Sequence, residues 1–166
     1  MITIDGTNGE VILGTVPTVQ PKISGYFSTI MAWSNKFKKL KIRTNAETEK
    51  DSKVARDFGA EGIGLCRTEH MFFDQERILS VRKMILSRTK EDRNNALVEL
   101  LPHQKNDFRK IFKVMNGLPV TVRLLDPPLH EFLPRATKEI EEVANSLKIN
   151  VKEVEGRIDE LHEQNP

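Results

Sequence analysis

Apolar residues along this chain recur at two spacings, and the switches between them mark out the elements. Ile2 and Ile4, then Val11 and Leu13, alternate with polar residues on either side of Asp5-Gly6-Thr7-Asn8-Gly9. Period two around such turn-forming residues predicts a β-hairpin. Residues 14–25 hold Pro17 and Pro21 with little periodicity and read as a linker. Phe27, Ile30, Met31, Ser34 and Phe37 then fall at helical spacing after Ser24, a candidate cap, with Lys36, Lys38 and Lys39 near the end, where cations suit the dipole. This stripe, Trp33 included, is expected to pack rather than to hold a ligand.

The middle of the chain predicts a strand over 41–45 and a helix begun by Thr48 with Asp51 three residues on. Val54, Ala55 and Phe58 give that helix its apolar face, and Gly59 ends it. The short apolar run Ile63-Gly64-Leu65-Cys66 follows and closes on Arg67-Thr68-Glu69-His70. It reads as a buried strand with chemistry at its C-terminal end, and Gly62 and Gly64 would let another backbone or a ligand approach. Strand, helix and strand in this order form a βαβ unit and imply parallel pairing.

Asp74 is expected to cap a helix over 75–86, with Ile78, Val81 and Ile85 inward. Thr89 with Asp92 begins another carrying Leu97, Leu100 and Leu101. Pro102 is expected in the first turn of a third, with Phe108, Ile111, Phe112 and Met115 buried and Asn116-Gly117 at its end. A strand over 119–125 stops at Asp126-Pro127-Pro128. The helix over 137–147 buries Ile140, Val143, Ala144 and Leu147, and Asn150 with Glu153 opens a last helix using Val154, Ile158 and Leu161. No internal repeat is visible. The order predicts an α/β fold, a partial (β/α) TIM-type barrel of roughly the first three units with extra helices, against the eight strands of a complete one.

Composition narrows the function more than the fold. Lys and Arg number 26 against 24 Asp and Glu, a formal charge of +2, which is no nucleic-acid footprint. No apolar run approaches the roughly 20 residues that cross a bilayer, and Thr3 and Asp5 interrupt any secretory signal. Cys66 is the one cysteine of the 166 residues. That excludes an intrachain disulfide and a Cys-rich zinc site, and fits a reducing, cytoplasmic location. His70 and His130 belong to no HExxH pattern.

The candidate chemistry is a pair of arginines. Arg67 and Arg123 each end, or nearly end, a different predicted parallel strand, and such ends meet at one face of a barrel. Two guanidinium groups there would suit a small anion carrying phosphate or carboxylate, because each gives paired hydrogen bonds. From spacing alone a plainer reading stands beside this one, in which each Arg pairs with a nearby acid such as Glu69 or Asp126. Arg43 and Asn45 end the first predicted strand and point toward the same mouth, or belong to a solvated strand end beside a helix cap. Glu69 is expected to orient Arg67. Asp126 is expected to fix the loop after the third strand, and His130 to pair with Glu131 rather than to face the site. Cys66, inside a strand, is expected to be a buried packing group.

The words Cys66-Arg67-Thr68-Glu69-His70-Met71-Phe72-Phe73 and Arg123-Leu124-Leu125-Asp126-Pro127-Pro128-Leu129-His130-Glu131-Phe132-Leu133-Pro134 resemble the phosphoenolpyruvate-binding barrel of the PEP-utilising enzymes, the pyruvate, phosphate dikinase family above all. The resemblance runs along nearly the whole chain. It implies a fragment: 1–14 as the end of the swivelling phosphohistidine domain, 15–25 as linker, and 26–166 as the first part of the PEP/pyruvate-binding barrel. It implies that Arg67 and Arg123 hold the phosphate and carboxylate of phosphoenolpyruvate. The implied parent interconverts ATP, pyruvate and phosphate with AMP, phosphoenolpyruvate and pyrophosphate through a phosphohistidine. It uses Mg2+ and is a homo-oligomer. The implied partners are phosphoenolpyruvate or pyruvate and the parent's other domains, with no nucleic acid and no membrane. The carrier histidine, the magnesium-binding acids and a cysteine proton donor are all expected outside these residues. The isolated chain is therefore expected to be an inactive part of an enzyme. The alternative is a stand-alone, non-catalytic binding or regulatory module derived from the same barrel. An unrelated helical interaction protein, with no parallel sheet, is the third reading.

Overall fold

The computed structural model describes residues 1–19, 23–126 and 129–161. Pro21 of the expected linker, the expected strand stop at Pro127-Pro128 and the last five residues lie outside them. The chain divides into two compact units, residues 1–40 and 41–166.

In the first unit the alternating residues form the expected hairpin, β1 (Ile2–Asp5) paired antiparallel with β2 (Glu10–Leu13). Asp5 Oδ1 accepts from the Thr7 and Asn8 backbone N–H groups and shapes the turn. Helix α1 (Gly25–Phe37) forms with Ser24 at its N-cap, although no side-chain capping bond is made. Its apolar stripe does not pack as expected. Phe27, Ile30, Trp33 and Phe37 are exposed, and no residue of α1 is buried. Helical spacing records a face that needs covering. Among the described residues of its own unit, the other regular element is a short two-stranded hairpin, too small an apolar surface for that.

The second unit is built on a three-stranded parallel sheet in the order β3 (Thr44–Asn45), β4 (Ile63–Arg67), β5 (Val120–Arg123). Among the described residues there is no closed barrel; the fold is mixed α/β. Helix α2 (Glu49–Asp57) connects β3 to β4. It starts where expected, with Thr48 Oγ1 accepting from the Asp51 N–H at 3.1 Å, and Gly59 follows its end at φ +86°. Helix α4 (Lys90–Val114) precedes β5, and its N-terminus repeats the device: Thr89 Oγ1 accepts from the Asp92 N–H at 3.0 Å.

Beneath the sheet lies one core, where Ile63 and Cys66 of β4 meet Ala46, Met71, Ile111 and Met115. A second core joins α3 (Ile78–Leu86), the first half of α4, α5 (Thr137–Leu147) and α6 (Val151–Glu160) through Val81, Leu86, Leu100, Phe132, Val143 and Val154. No helix among the described residues is long and apolar enough to cross a membrane.

Two boundaries differ from expectation. Asp74 does not cap α3 directly. Its Oδ1 accepts from the Glu76 N–H at 3.0 Å and closes a turn one step earlier, so the helix starts at Ile78. Pro102 does not open a new helix; it lies inside α4, which runs unbroken for 25 residues. A proline there removes one backbone bond and costs about 3 kcal/mol. The two halves of α4 are each held by a separate core, Leu100 in one and Ile111 in the other, and that burial outweighs the local penalty.

The glycines of β4 set how closely the strands approach. A Cβ on Gly62 would lie 2.7 Å from the Pro119 carbonyl oxygen, and that oxygen accepts the Ile63 N–H at 2.9 Å. Gly62→Ala is therefore expected to destabilise the second unit by about 1–3 kcal/mol, since relief would require moving the β4–β5 pairing itself. Gly156→Ala provides the opposite sign. Gly156 sits inside α6 with open space where its Cβ would be, so alanine there should stabilise by about 0.5–1 kcal/mol. Urea midpoints of the two variants check both; a Gly62→Ala midpoint at or above that of the unsubstituted chain would refute the close-approach argument.

Candidate functional site

The β4–β5 ladder brings the two arginines together. Arg67 and Arg123 are direct register partners at the C-terminal ends of their strands, one step beyond the Cys66–Val122 pair. Neighbouring strands stand about 4.8 Å apart, and paired residues of parallel strands share a face. Cys66, Val120 and Val122 turn toward the helices and their core. Alternation then puts Arg67 and Arg123 on the other face of the sheet. The register slips between Ile63 and Cys66, an irregularity of the kind that re-aims side chains beside sites. Below the arginines, buried Thr68 ties the strand ends together: its hydroxyl lies 2.6 Å from the Leu124 carbonyl and 3.0 Å from that of Arg123.

Two adjacent guanidinium groups repel unless charge is returned to them, and the fold returns it. Glu47, in the turn between β3 and α2, accepts from Arg67 Nε at 2.6 Å. Glu69, in the 3-10 turn Thr68–Phe73, is only 5% exposed and accepts from Arg123 Nη2. Asp126, largely exposed, pairs with Arg123 Nη1 at 3.0 Å. The two arginines thus differ. Arg67 is held by its Nε edge, and no carboxylate among the described residues pairs with its terminal nitrogens. Arg123 has both terminal nitrogens engaged.

Burial alone would raise the Glu69 carboxyl. The hydrogen bond and charge of Arg123, with a backbone N–H, outweigh it and hold the group below its usual range. The same pair raises the Arg123 guanidinium. A carboxyl depressed by folding stabilises the fold above its unfolded pKa of about 4.3 and loses that contribution as pH falls through the folded value. Stability is therefore expected to drop as pH is lowered below about 4.3, with a shallower drop in Glu69→Gln. Urea midpoints from neutral pH to pH 3 check this; identical slopes in the two proteins would remove Glu69 from the account. Burial, followed by the charges of Glu47, Glu69 and Asp107, pushes the Cys66 thiol up to about 11. It is a protonated core group at neutral pH, as its place inside a strand implied.

Of the residues singled out from sequence, Arg67, Arg123, Glu69 and Asp126 come together. Glu69 holds Arg123 rather than Arg67, because the chain turns sharply after β4 and carries residue 69 across toward β5. Asn45 ends β3 and pairs with Leu65, two residues short of Arg67. Arg43 precedes the short β3, at the opposite end from the arginine pair, with its Cβ 3.3 Å from where a Gly64 Cβ would be. His70 is exposed, and His130 lies half-buried in the 3-10 turn Leu129–Glu131. Sequence reasoning misses Glu47 and Thr68. Thr68 stands in plain view between Arg67 and Glu69, but nothing local shows which carbonyl a buried hydroxyl will meet; Glu47 carries no signal beyond preceding a helix cap.

Among the described residues no three His, Cys, Asp or Glu side chains gather as metal ligands. A hollow of about 840 Å3 runs along α4 past Leu101, Phe108 and Phe112, but neither arginine lines it.

Residues 21–166 match the family described as PEP-utilising enzyme, PEP-binding domain. The chain is 55% identical over 166 residues to pyruvate, phosphate dikinase of Rhizobium meliloti, covering 100% of this chain and 18% of that protein. It is 51% identical over 165 residues to the Clostridium symbiosum protein of the same name, covering 99% of this chain and 19% of that one. The chloroplastic pyruvate, phosphate dikinase of Mesembryanthemum crystallinum is 50% identical over 170 residues, covering 99% of this chain and 18% of that one. The chain thus spans less than a fifth of the length of these curated relatives.

Proposed function

The chain belongs to the PEP-utilising enzymes by their PEP-binding domain, and from that membership we infer that it is part of a pyruvate, phosphate dikinase, supplying anion-holding groups of its phosphoenolpyruvate/pyruvate site. On this reading the whole enzyme interconverts ATP, pyruvate and phosphate with AMP, phosphoenolpyruvate and pyrophosphate through a phosphohistidine. The three parallel strands and their helices are then the opening units of a (β/α) barrel, completed by residues outside this chain, and the first 14 residues end the phosphohistidine domain. The chain by itself is inactive on this reading.

The observation that carries the reading is the register pairing of Arg67 with Arg123 at the ends of β4 and β5. Ligands of α/β folds collect at the C-terminal ends of parallel strands. Phosphate and carboxylate are the anions whose geometry matches guanidinium forks. Arg67 offers its terminal fork directly. Arg123 must first exchange a carboxylate for the ligand, and the exposed Asp126 is the one free to leave, since Glu69 is buried. Both would then stabilise charge on the phosphoryl group as it transfers.

A stand-alone binding module is less well supported, because about half of the residues are identical to chains named as the enzyme itself. The cytoplasm remains the proposed location, on the single buried thiol. The test is lysine at position 67 or 123 in the full-length protein, with the pyruvate and nucleotide half-reactions measured apart. Loss confined to the pyruvate half supports the reading; equal loss in both, or none in either, overturns it.

A further inference from the structure

We propose that Glu47 is a positioning residue that presets Arg67 for its anion, holding the guanidinium by Nε so that the terminal fork faces the ligand. This rests on the anion-holding role inferred for Arg67 and adds a residue that neither the motif words nor the spacing pointed to.

Both ends of the Glu47–Arg67 bridge are fixed by backbone. Ala46, one residue before Glu47, is 1% exposed in the core beneath the sheet. Thr48, one residue after, caps α2, and its carbonyl accepts both the N–H and the hydroxyl of Ser52, at 3.0 and 2.8 Å. Arg67 is held by the ladder to Arg123 and by buried Thr68 immediately after it. The Glu47 side chain is 13% exposed and meets Arg67 Nε at 2.6 Å. A long arginine side chain ordinarily loses much rotamer freedom when a ligand immobilises it. Here a short, charge-assisted bond immobilises it beforehand. The bond uses one of the five guanidinium N–H donors and leaves the end-on pair for phosphate or carboxylate.

A rival role has the opposite sign. If Glu47 merely neutralises Arg67, it competes with the ligand anion, and its removal should tighten binding. If it positions Arg67, removal should weaken binding even though the site becomes more positive.

The experiment titrates the full-length protein, labelled at arginine Nε, with phosphoenolpyruvate, reading Kd together with the Arg67 Nε–H resonance. Glu47→Gln keeps an acceptor for Nε without the charge. Glu47→Ala removes the acceptor, and Glu47→Met removes it while keeping the volume, should alanine unfold the turn. The expected result is a slowly exchanging Arg67 Nε–H and near-equal Kd in the unsubstituted protein and Glu47→Gln. In Glu47→Ala and Glu47→Met the protected resonance should be lost and Kd should rise about tenfold, the scale of one charge-assisted hydrogen bond. Binding as tight or tighter in the alanine and methionine variants would overturn the proposal while leaving the role of Arg67 standing. So would a Glu47→Gln variant as weak as Glu47→Ala. If the unsubstituted full-length protein shows no response to phosphoenolpyruvate, the anion reading of Arg67 fails first and this proposal with it.

Discussion

Replacing Arg67 or Arg123 by lysine in the full-length protein is expected to slow the pyruvate half-reaction by on the order of 100- to 1000-fold. Phosphorylation of the carrier histidine from ATP should survive, because that half-reaction belongs to a different domain on the proposed reading. Lysine keeps the charge but replaces a planar fork by a compact ammonium, so a site that needs paired donors loses them. An arginine serving only a surface ion pair would lose about 0–1 kcal/mol, a few-fold at most. The two positions should also differ in stability. Arg123→Lys disturbs the partner of buried Glu69, whereas the partner of Arg67, Glu47, is 13% exposed and lines a cleft of about 480 Å3. Rapid-quench measurement of each half-reaction, with a urea midpoint for each variant, separates lost chemistry from lost folding. Near-normal rates in both halves would sink the assignment of these arginines to the site.

Phe132→Ala is expected to cost about 3–5 kcal/mol of stability. Phe132 is 2% exposed and follows the second 3-10 turn. Its ring stacks on Phe73 at 4.5 Å between centroids and meets Phe72 edge-on at 6.4 Å. Its carbonyl accepts from Arg82 Nε at 3.0 Å. It therefore pins the segment following β5 to the turn that carries Glu69, and to the core shared by α3, α5 and α6. Removing the ring opens a cavity at that junction, and anion binding at Arg123 should weaken along with stability. Phe112→Ala on α4 is the contrast: its ring is half-exposed and stacks on Phe108. A Phe132→Ala urea midpoint no lower than that of Phe112→Ala would refute this placement.

What local chemistry encodes is legible in the amino-acid order. The hairpin around Asp5 to Gly9, the caps at Thr48, Thr89 and Asn150 and the helix end at Gly59 each depend on residues within a few positions of one another. The C-terminal ends of β4 and β5 are legible too, because a short apolar run closing on an arginine is itself a local pattern. The stretch from Ile78 to Leu86 shows the limit. Its apolar face is plain, but its first turn is not, because Asp74 can close either a helix or a tighter turn.

The sequence by itself determined the α/β order, the parallel strands and the two arginines, since periodicity and capping act over one turn or one strand. Tertiary structure alone decided that α4 runs through Pro102, because two separate cores hold its halves and no window around the proline contains both. It alone left the α1 stripe without a cover inside its own unit, since an apolar face states a need for a partner but not where one lies. It alone chose the counter-ions, giving Glu47 to Arg67 across 20 residues and Glu69 to Arg123 across 54. An ion pair forms where backbones fixed by other forces happen to bring charge within reach, and the side chains carry no local signal of which partner that will be.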